Sequence, residues 1–209
     1  MANTASRSTF TGAQFLVQTS RIAESTTKTF FMYSSKIEKK EICENFFGVF
    51  ATRDIAAGEI IFKNWNDSCD TKTRAEVEAL AEPYRSTYQK YSTELKEFVY
   101  VGPYENEDIE SQYDYFINHC CDPNAWMIND GDVAARRDIK TGEQITIDYA
   151  TFVVNEFEGS RIDPCLCESD MCRGKVSKDD WWQMRHVYRG HYLSWIDQKI
   201  RRKEKRKNI

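Results

Sequence analysis

The chain has 209 residues, of which 41% are hydrophobic and 13% aromatic, and its formal net charge is −4. This length fits one domain with short appendages, and this composition excludes a chain that is disordered throughout. No apolar run approaches the roughly 20 residues of a membrane-spanning helix, and the N-terminus lacks the apolar stretch of a secretory signal. We therefore expect no membrane partner.

Charge is unevenly distributed along the chain. Residues 199–209 hold seven Lys or Arg and one Glu, whereas the rest holds 22 basic and 32 acidic residues. An acidic body suits a basic substrate, such as a Lys-rich or Arg-rich tail, although ordinary solubilising charge explains the same composition. The basic run could contact nucleic acid nonspecifically, act as a nuclear import signal, or be the solvated end of a helix.

The first predicted elements follow a stretch rich in Ser and Thr. We expect residues 1–30 to be a flexible N-terminal segment, although three basic residues against one acid are also weakly typical of a transit peptide. Residues 47–51 and 59–62 are short apolar runs separated by Ala57 and Gly58, which favours a hairpin.

The middle of the chain is predicted to hold a helix and several strands. Thr73 and Glu76 have the spacing of a capping box, and they begin a helical pattern that Pro83 interrupts. Short apolar runs predict strands at 98–101, 132–135 and 144–147.

A helix with a basic tail is predicted for residues 177–209. Ser177 can cap it, and its large apolar side chains recur at steps of three and four residues, which indicates one buried face. Gly190 could kink this helix. Short strands followed by a C-terminal helix indicate a β-rich α+β fold.

Three of the seven cysteines lie within eight residues, at 165, 167 and 172. Zinc in a structural site takes four ligands in a tetrahedron, so this spacing favours a zinc site that needs a fourth ligand from elsewhere. Buried free thiols are the alternative. An odd cysteine count with metal spacing also favours an intracellular, reducing compartment, without separating cytoplasm from nucleus.

Four segments, in order along the chain, resemble the SET-domain protein-lysine methyltransferase family. Residues 118–124, Asn-His-Cys-Cys-Asp-Pro-Asn, are similar to its Asn-His-Ser-Cys-x-Pro-Asn signature. Residues 142–149, Gly-Glu-Gln-Ile-Thr-Ile-Asp-Tyr, are similar to its Gly-Glu-Glu-Leu-Thr-Phe-Asp-Tyr segment. Residues 165–172 resemble its post-SET zinc motif, and Gly-Val-Phe-Ala at 48–51 matches upstream.

The resemblance implies a domain organisation. It predicts a SET domain over residues 31–158 with a variable insert at 64–113, a post-SET zinc segment at 159–176, and no pre-SET region. The implied fold has several small sheets around a pseudoknot-like crossing, followed by the C-terminal helix.

The resemblance also implies transfer of a methyl group from S-adenosylmethionine to the amine of a protein lysine, in a histone tail or a non-histone protein. A lysine amine, with a pKa of ~10.4, must first lose its proton. Desolvation and a nearby sulfonium both lower that pKa, so a dedicated base is not obligatory. Methylation of a small-molecule amine and a non-catalytic binding module remain alternatives.

Individual roles follow from the same resemblance. Tyr149 is implied as the catalytic tyrosine, and Tyr91 is the first candidate for a second tyrosine facing it, ahead of Tyr88 and Tyr100. The implied cofactor contacts are Phe47, Gly48, Asn118, His119, Tyr149 and Leu166. The implied ligands of a structural zinc are Cys121, Cys165, Cys167 and Cys172, without Cys120.

Two positions depart from the family's pattern. Phe46 stands where the family usually has glycine, which could tighten the cofactor pocket and favours the binding-module alternative. Ile147 stands where the family commonly has Phe or Tyr, and it offers no hydroxyl to hold a competing water. We hypothesise that higher methylation states are therefore allowed.

Overall fold

The computed structural model describes residues 9–10, 13–17, 32–67, 69–155, 157 and 162–207. Its strands are β1 (Thr9–Phe10), β2 (Ala13–Val17), β3 (Met32–Ser34), β4 (Ile37–Cys43), β5 (Phe46–Ala51), β6 (Ile60–Lys63), β7 (Asp70–Thr73), β8 (Thr93–Lys96), β9 (Val99–Gly102), β10 (Asn118–His119), β11 (Ala125–Met127), β12 (Val133–Ala135) and β13 (Gln144–Ile147). Its α-helices are α1 (Arg74–Glu78), α2 (Tyr84–Tyr91), α3 (Asp180–Gln183) and α4 (Ser194–Lys207). Short 3-10 turns cover Ile109–Ser111, Asp114–Phe116 and Tyr149–Thr151.

The strands form three small sheets, as the β-rich α+β prediction required. Their strand orders are β1-β2-β3-β6-β12-β11, β10-β13-β5-β4 and β7-β9-β8. In the second sheet β10 runs parallel to β13, with Asn118 opposite Thr146 and His119 opposite Ile147. This pairing brings together residues 118–124 and 142–149, the two segments that carry most of the family resemblance. The pseudoknot-like crossing stays a prediction.

Most of the apolar side chains meet in one core between the sheets and the C-terminal elements. Ile61, Phe62 and Ile145 from the strands and Leu193 and Ile196 from the C-terminal region are fully buried in it. A smaller cluster of Val77, Tyr88, Tyr100 and Phe157 lies under the segment that contains α1, α2 and the three-stranded sheet. None of the helices that the structure describes combines the length and apolarity of a membrane span.

Several local predictions are confirmed. Thr73 caps α1, since its hydroxyl accepts from the Glu76 N–H at 3.3 Å while the Glu76 carboxylate accepts from the Thr73 N–H at 2.7 Å. Strands β9, β12 and β13 also lie where apolar runs predicted them.

The predicted hairpin of residues 47–51 and 59–62 is wrong. β5 pairs with β4 and β13, whereas β6 pairs with β3 and β12 in a different sheet. β4 alone offers β5 six paired positions. Local alternation therefore identified the strands but not their partners: β5 forms a hairpin with the strand just before it, and β6 pairs with strands of another sheet.

The single helix predicted over 177–209 is also wrong. α3 ends at Gln183, and α4 begins at Ser194. Between them Gly190 has a φ of 82°, a left-handed conformation that ends helices and suits glycine. The carboxylate of Asp130 then accepts hydrogen bonds from both the main-chain N–H and the hydroxyl of Ser194, which starts a new helix.

Most of the predicted flexible segment, residues 1–30, lies outside the described residues. Residues 13–17, however, form β2 and pair antiparallel with β3, so for this part the prediction was wrong. An edge such as that of β3 offers unpaired main-chain groups that recruit a further strand. The proposed limits of the SET domain and of the cysteine segment stay predictions.

Candidate active site

A cavity of about 800 Å³ opens between β10, β13 and the segment that carries α2 and β8. This volume lies within the usual range for small-molecule sites. Its lining includes Asn118, His119 and Tyr149 from one side and Tyr91 from the other, and Leu166 reaches it from the C-terminal region. Cys165 and Cys167 line it as well, so seven of the site residues predicted from the sequence surround one space.

Tyr149 is fixed at the wall of this cavity by two hydrogen bonds. Its hydroxyl donates to the main-chain oxygen of Ile117 at 2.9 Å, and its main-chain N–H donates to Nδ1 of His119 at 3.2 Å. Burial raises the pKa of Tyr149 to about 12, so the hydroxyl keeps its proton at neutral pH. It can therefore orient a neighbouring group by hydrogen bonding, but it is not a base.

Tyr91 is the candidate second tyrosine that the geometry favours. It lines the cavity, and its ring centroid lies 5.4 Å from that of Tyr115. Tyr88 directs its hydroxyl to main-chain oxygens, among them that of Tyr100 at 3.0 Å, and Tyr100 donates its own to Asn155. Tyr88 is not among the residues that line the cavity, and Tyr100, which does line it, has its hydroxyl turned to the main chain at Asn155.

Asp114 and Tyr115 also line the cavity, and sequence reasoning missed both. They directly precede Phe116, Ile117 and the signature that begins at Asn118. Burial raises the pKa of the Asp114 carboxyl to about 7, and burial also raises the pKa of Tyr115. Their position immediately before the signature was the available signal.

Phe47 and Gly48 lie behind the cavity wall rather than on it. The Asn118 side-chain amide donates to the Phe47 main-chain oxygen at 2.9 Å. A Cβ atom on Gly48 would lie 2.4 Å from Nε2 of Gln144 and 3.2 Å from Nδ2 of Asn118, so a larger residue here would displace these side chains. Phe46, which departs from the family's pattern, lines the cavity directly with its side chain 49% exposed.

His119 connects Tyr149 to the cysteines. Because its Nδ1 accepts from the Tyr149 N–H, its proton resides on Nε2, which lies 3.3 Å from Sγ of Cys121. Burial lowers the pKa of His119, which favours this neutral form even though Asp148 lies 3.6 Å from Nδ1. The imidazole thus serves both as an acceptor for the tyrosine main chain and as a donor to a thiol.

Four cysteines form a cluster that could hold a metal ion. The sulfur atoms of Cys121, Cys165, Cys167 and Cys172 all lie within 4.8 Å of one another. A tetrahedral zinc site with bonds of ~2.3 Å needs sulfurs about 3.8 Å apart, so small shifts suffice. Sγ of Cys120, which was not predicted as a ligand, donates to the main-chain oxygen of Asp122.

Main-chain N–H groups surround these sulfurs. The Arg173 N–H donates to Sγ of Cys121 at 3.3 Å, the Cys121 N–H to Sγ of Cys167 at 3.5 Å, and the Gly174 N–H to Sγ of Cys172 at 3.4 Å. Such donors stabilise thiolates, the form that binds metal. The donor set and its surroundings therefore fit zinc.

An ion-pair network that sequence reasoning missed joins the cysteine segment to the cavity. Arg173 follows Cys172, and its guanidinium binds the fully buried Asp148 through two hydrogen bonds of 2.7 Å. Its Nε also donates to Asp180 at 2.9 Å, at the start of α3. One side chain thus links the cysteine segment, the strand that leads to Tyr149 and the C-terminal helices.

Comparison with known proteins relates this chain to the family that its motifs resemble. The family model described as SET domain matches residues 47–150. A probable histone-lysine N-methyltransferase, set-23, of Caenorhabditis elegans is 31% identical over 66% of this chain and 59% of its own length. The variant-silencing SET domain-containing protein of Plasmodium falciparum is 31% identical over 68% of this chain and 6% of its own length.

A histone-lysine N-methyltransferase of Yarrowia lipolytica, H3 lysine-36 specific, is 29% identical over 61% of this chain and 16% of its own length. The chain thus spans between 6% and 59% of the length of these three relatives. The similarity therefore covers only part of each relative.

Proposed function

Because the chain belongs to the SET-domain proteins, with its SET domain at residues 47–150, we propose that it transfers a methyl group from S-adenosylmethionine to the amine of a protein lysine. The observation that carries this proposal is the position of Tyr149, held at the cavity by Ile117 and His119. Its neighbours along the wall, Asn118 and Leu166, are those that the family's cofactor contacts imply.

The residues around the cavity suit S-adenosylmethionine. Asn118, His119 and Leu166 would hold it, and the lack of a side chain at Gly48 lets the main chain lie close to Asn118. Gln144 lines the cavity next to them, and its buried Nε2 has no protein partner among the described residues. When bound, this cofactor supplies a methyl group on a sulfonium that a neutral amine can attack.

The protein's own contribution is to position the amine and to exclude water. Because Tyr149 keeps its proton, its hydroxyl can form a hydrogen bond with the amine of the substrate lysine. It does not act as the base that deprotonates this amine. Tyr91 and Tyr115 form an aromatic wall opposite, which desolvates the amine and lowers its pKa. The proton of the lysine therefore passes to solvent before transfer, and alignment of the two reactants supplies most of the acceleration.

We assign the cysteine cluster to a structural zinc ion. Four thiolates complete the coordination of zinc and leave no open position for water, so the metal would not take part in the chemistry. Its role would be to hold Leu166 at the cavity, since that residue lies between two of the ligands and is 82% exposed. None of the seven cysteines, all of which the structure describes, forms a disulfide, which suits an intracellular, reducing compartment.

A basic protein segment is the acceptor that we favour, in a histone tail or in another protein. The relatives named as histone-lysine methyltransferases support this class. Acidic residues at the cavity, Glu94 and Glu168, would attract a cationic segment.

The test is transfer of a labelled methyl group from S-adenosylmethionine to core histones, to proteins of a cell lysate and to small amines, each in a separate reaction. Label on a protein would support the proposal, and label only on small amines would replace the acceptor class. Cofactor binding without transfer to any acceptor would support a binding module, the alternative that Phe46 at the cavity favours.

A further inference from the structure

The basic residues of α4 lie against three tryptophans that the sequence alone did not place beside them. Trp181 and Trp182 come from α3, and Trp195 lies in the first turn of α4. We call this surface the basic ridge, and it is defined by Trp181, Trp182, Trp195, Lys199, Arg202, Lys203, Arg206 and Lys207.

The tryptophan rings hold the cations in place. Nζ of Lys203 lies 4.2 Å from the ring centroid of Trp182 and 5.0 Å from that of Trp181, and Nζ of Lys207 lies 4.9 Å from Trp182. Arg185 approaches the Trp182 ring as well, at 4.2 Å. Cation–π contacts of this kind leave the ammonium groups charged and partly solvated while restricting where they point.

Carboxylates neutralise only part of this helix. Lys199 pairs with Glu97, and Arg201 pairs with Asp197, whereas Glu204 turns back to Arg185 and Arg189. Among the residues that the structure describes, no carboxylate pairs with Arg202, Lys203, Lys205, Arg206 or Lys207.

The unpaired cations are concentrated on one face. Arg202, Lys203, Arg206 and Lys207 recur at steps of three and four residues, which places them in one stripe of the helix. At 1.5 Å per residue this stripe is about 7.5 Å long, a length that covers two or three phosphates of one DNA strand at ~3.4 Å each. Arg201 and Lys205 lie outside the stripe.

We propose that the basic ridge binds the phosphate backbone of duplex nucleic acid without sequence preference. The tryptophan rings already face lysine and arginine side chains, so they are not free to stack on bases, and the recognition rests on charge. The ridge also begins next to the cavity, because Nε1 of Trp195 donates at 2.9 Å to the main-chain oxygen of Glu94, which lines it. This inference goes beyond the proposed methyl transfer, and its test needs no enzymatic activity.

The test compares two variants of equal charge. Arg202→Gln with Arg206→Gln removes two cations of the ridge, and Arg201→Gln with Lys205→Gln removes two cations of the same helix outside it. Affinity for a fluorescent duplex of mixed sequence is measured between about 50 and 200 mM salt. The ridge variant should bind at least about tenfold more weakly, and its slope of log affinity against log salt should fall by about two. The control variant should stay within about twofold of the unchanged protein.

Equal losses in both variants would show a response to net charge alone and would overturn the proposal. So would an unchanged affinity in the ridge variant, or no binding by the unchanged protein at the lowest salt. The unchanged protein could instead bind anionic vesicles or polyglutamate as tightly as the duplex. If the ridge variant also lost that binding, the surface would be assigned to another class of partner. Circular dichroism of both variants, with the same helical content expected, separates these outcomes from loss of the helix.

Discussion

The guanidinium group of Arg173 binds both carboxylate oxygens of Asp148, with two hydrogen bonds of 2.7 Å. Asp148 is fully buried and directly precedes Tyr149, whereas Arg173 directly follows Cys172. The pair therefore couples the cysteine cluster to the start of the 3-10 turn that carries the candidate catalytic tyrosine. A buried carboxylate depends on such a partner, since an uncompensated buried charge is strongly unfavourable.

Arg173→Lys should lower the free energy of unfolding by about 3 kcal/mol, because lysine keeps the charge but cannot make the two-pronged contact with a buried carboxylate. Denaturant unfolding measures the change. Arg136→Lys is the matched control, since Arg136 binds Asp122, whose side chain is 56% exposed, and an exposed pair contributes about 0–1 kcal/mol. Equal losses in the two variants would contradict the role assigned to Arg173.

Gly48→Ala should weaken S-adenosylmethionine binding by about tenfold, because the new methyl group would push the Gln144 side chain toward the cavity. Isothermal titration calorimetry measures the affinity directly. Gln144→Ala removes the side chain that would be displaced. Gly48→Ala should therefore weaken cofactor binding less when it is added to Gln144→Ala than when it is made in the unchanged protein. Full affinity in the single variant would show that the position tolerates a side chain.

Cys167→Ser should reduce bound zinc from one ion per chain to well below half, and it should lower the melting temperature. Three thiolates hold zinc less tightly than four, and the loss would loosen the segment around Leu166. Elemental analysis of the purified protein gives the metal content. Cys120→Ser is the matched control, because Cys120 lies beside the cluster without belonging to it, and full metal content is expected. Zinc loss in Cys120→Ser alone would mean that the ligand set is wrong.

The rate of methyl transfer should rise steadily with pH between about 7 and 10. Only the neutral amine of the acceptor reacts, so raising the pH increases the reactive fraction of a group with a free pKa of ~10.4. Tyr149 keeps its proton throughout this range, because its pKa is raised to about 12. Initial rates at saturating cofactor, with cofactor affinity measured at each pH, test this. A fall in rate that begins below about pH 9 with binding unchanged would show that Tyr149, or another essential group, ionises earlier.

The sequence indicated the fold class and the motifs of the candidate site, but not how the strands around that site pair. Asn118, His119 and Tyr149 lie in two short motifs, and a parallel pairing between these motifs brings the three residues together. The four cysteines likewise include three that are close in the chain. Motifs of this kind carry their information locally, so a single sequence is enough to recognise them.

Contacts between distant segments were not predicted. β5 and β6 were recognised as strands, but their partners are chosen by pairing in two different sheets. Arg173 was missed because its partner Asp148 lies 25 residues away. The apolar pattern around Gly190 is typical of one continuous helix, yet the chain leaves the helix after Gln183 and Gly190 takes a left-handed conformation before α4 begins. The tryptophans of α3 therefore lie against the lysines of α4.

The most direct test of the central claim is mass spectrometry of an acceptor protein after incubation with S-adenosylmethionine and either the unchanged protein, Tyr149→Phe or Tyr192→Phe. Tyr192 is the control because its buried hydroxyl has no protein partner among the described residues, so its removal should not reduce stability. We predict methyl-lysine with the unchanged protein and with Tyr192→Phe, and at least about a hundredfold less with Tyr149→Phe, a loss of roughly 3 kcal/mol in transition-state stabilisation. Undiminished methyl-lysine with Tyr149→Phe, or methylation at a residue other than lysine, would contradict the account.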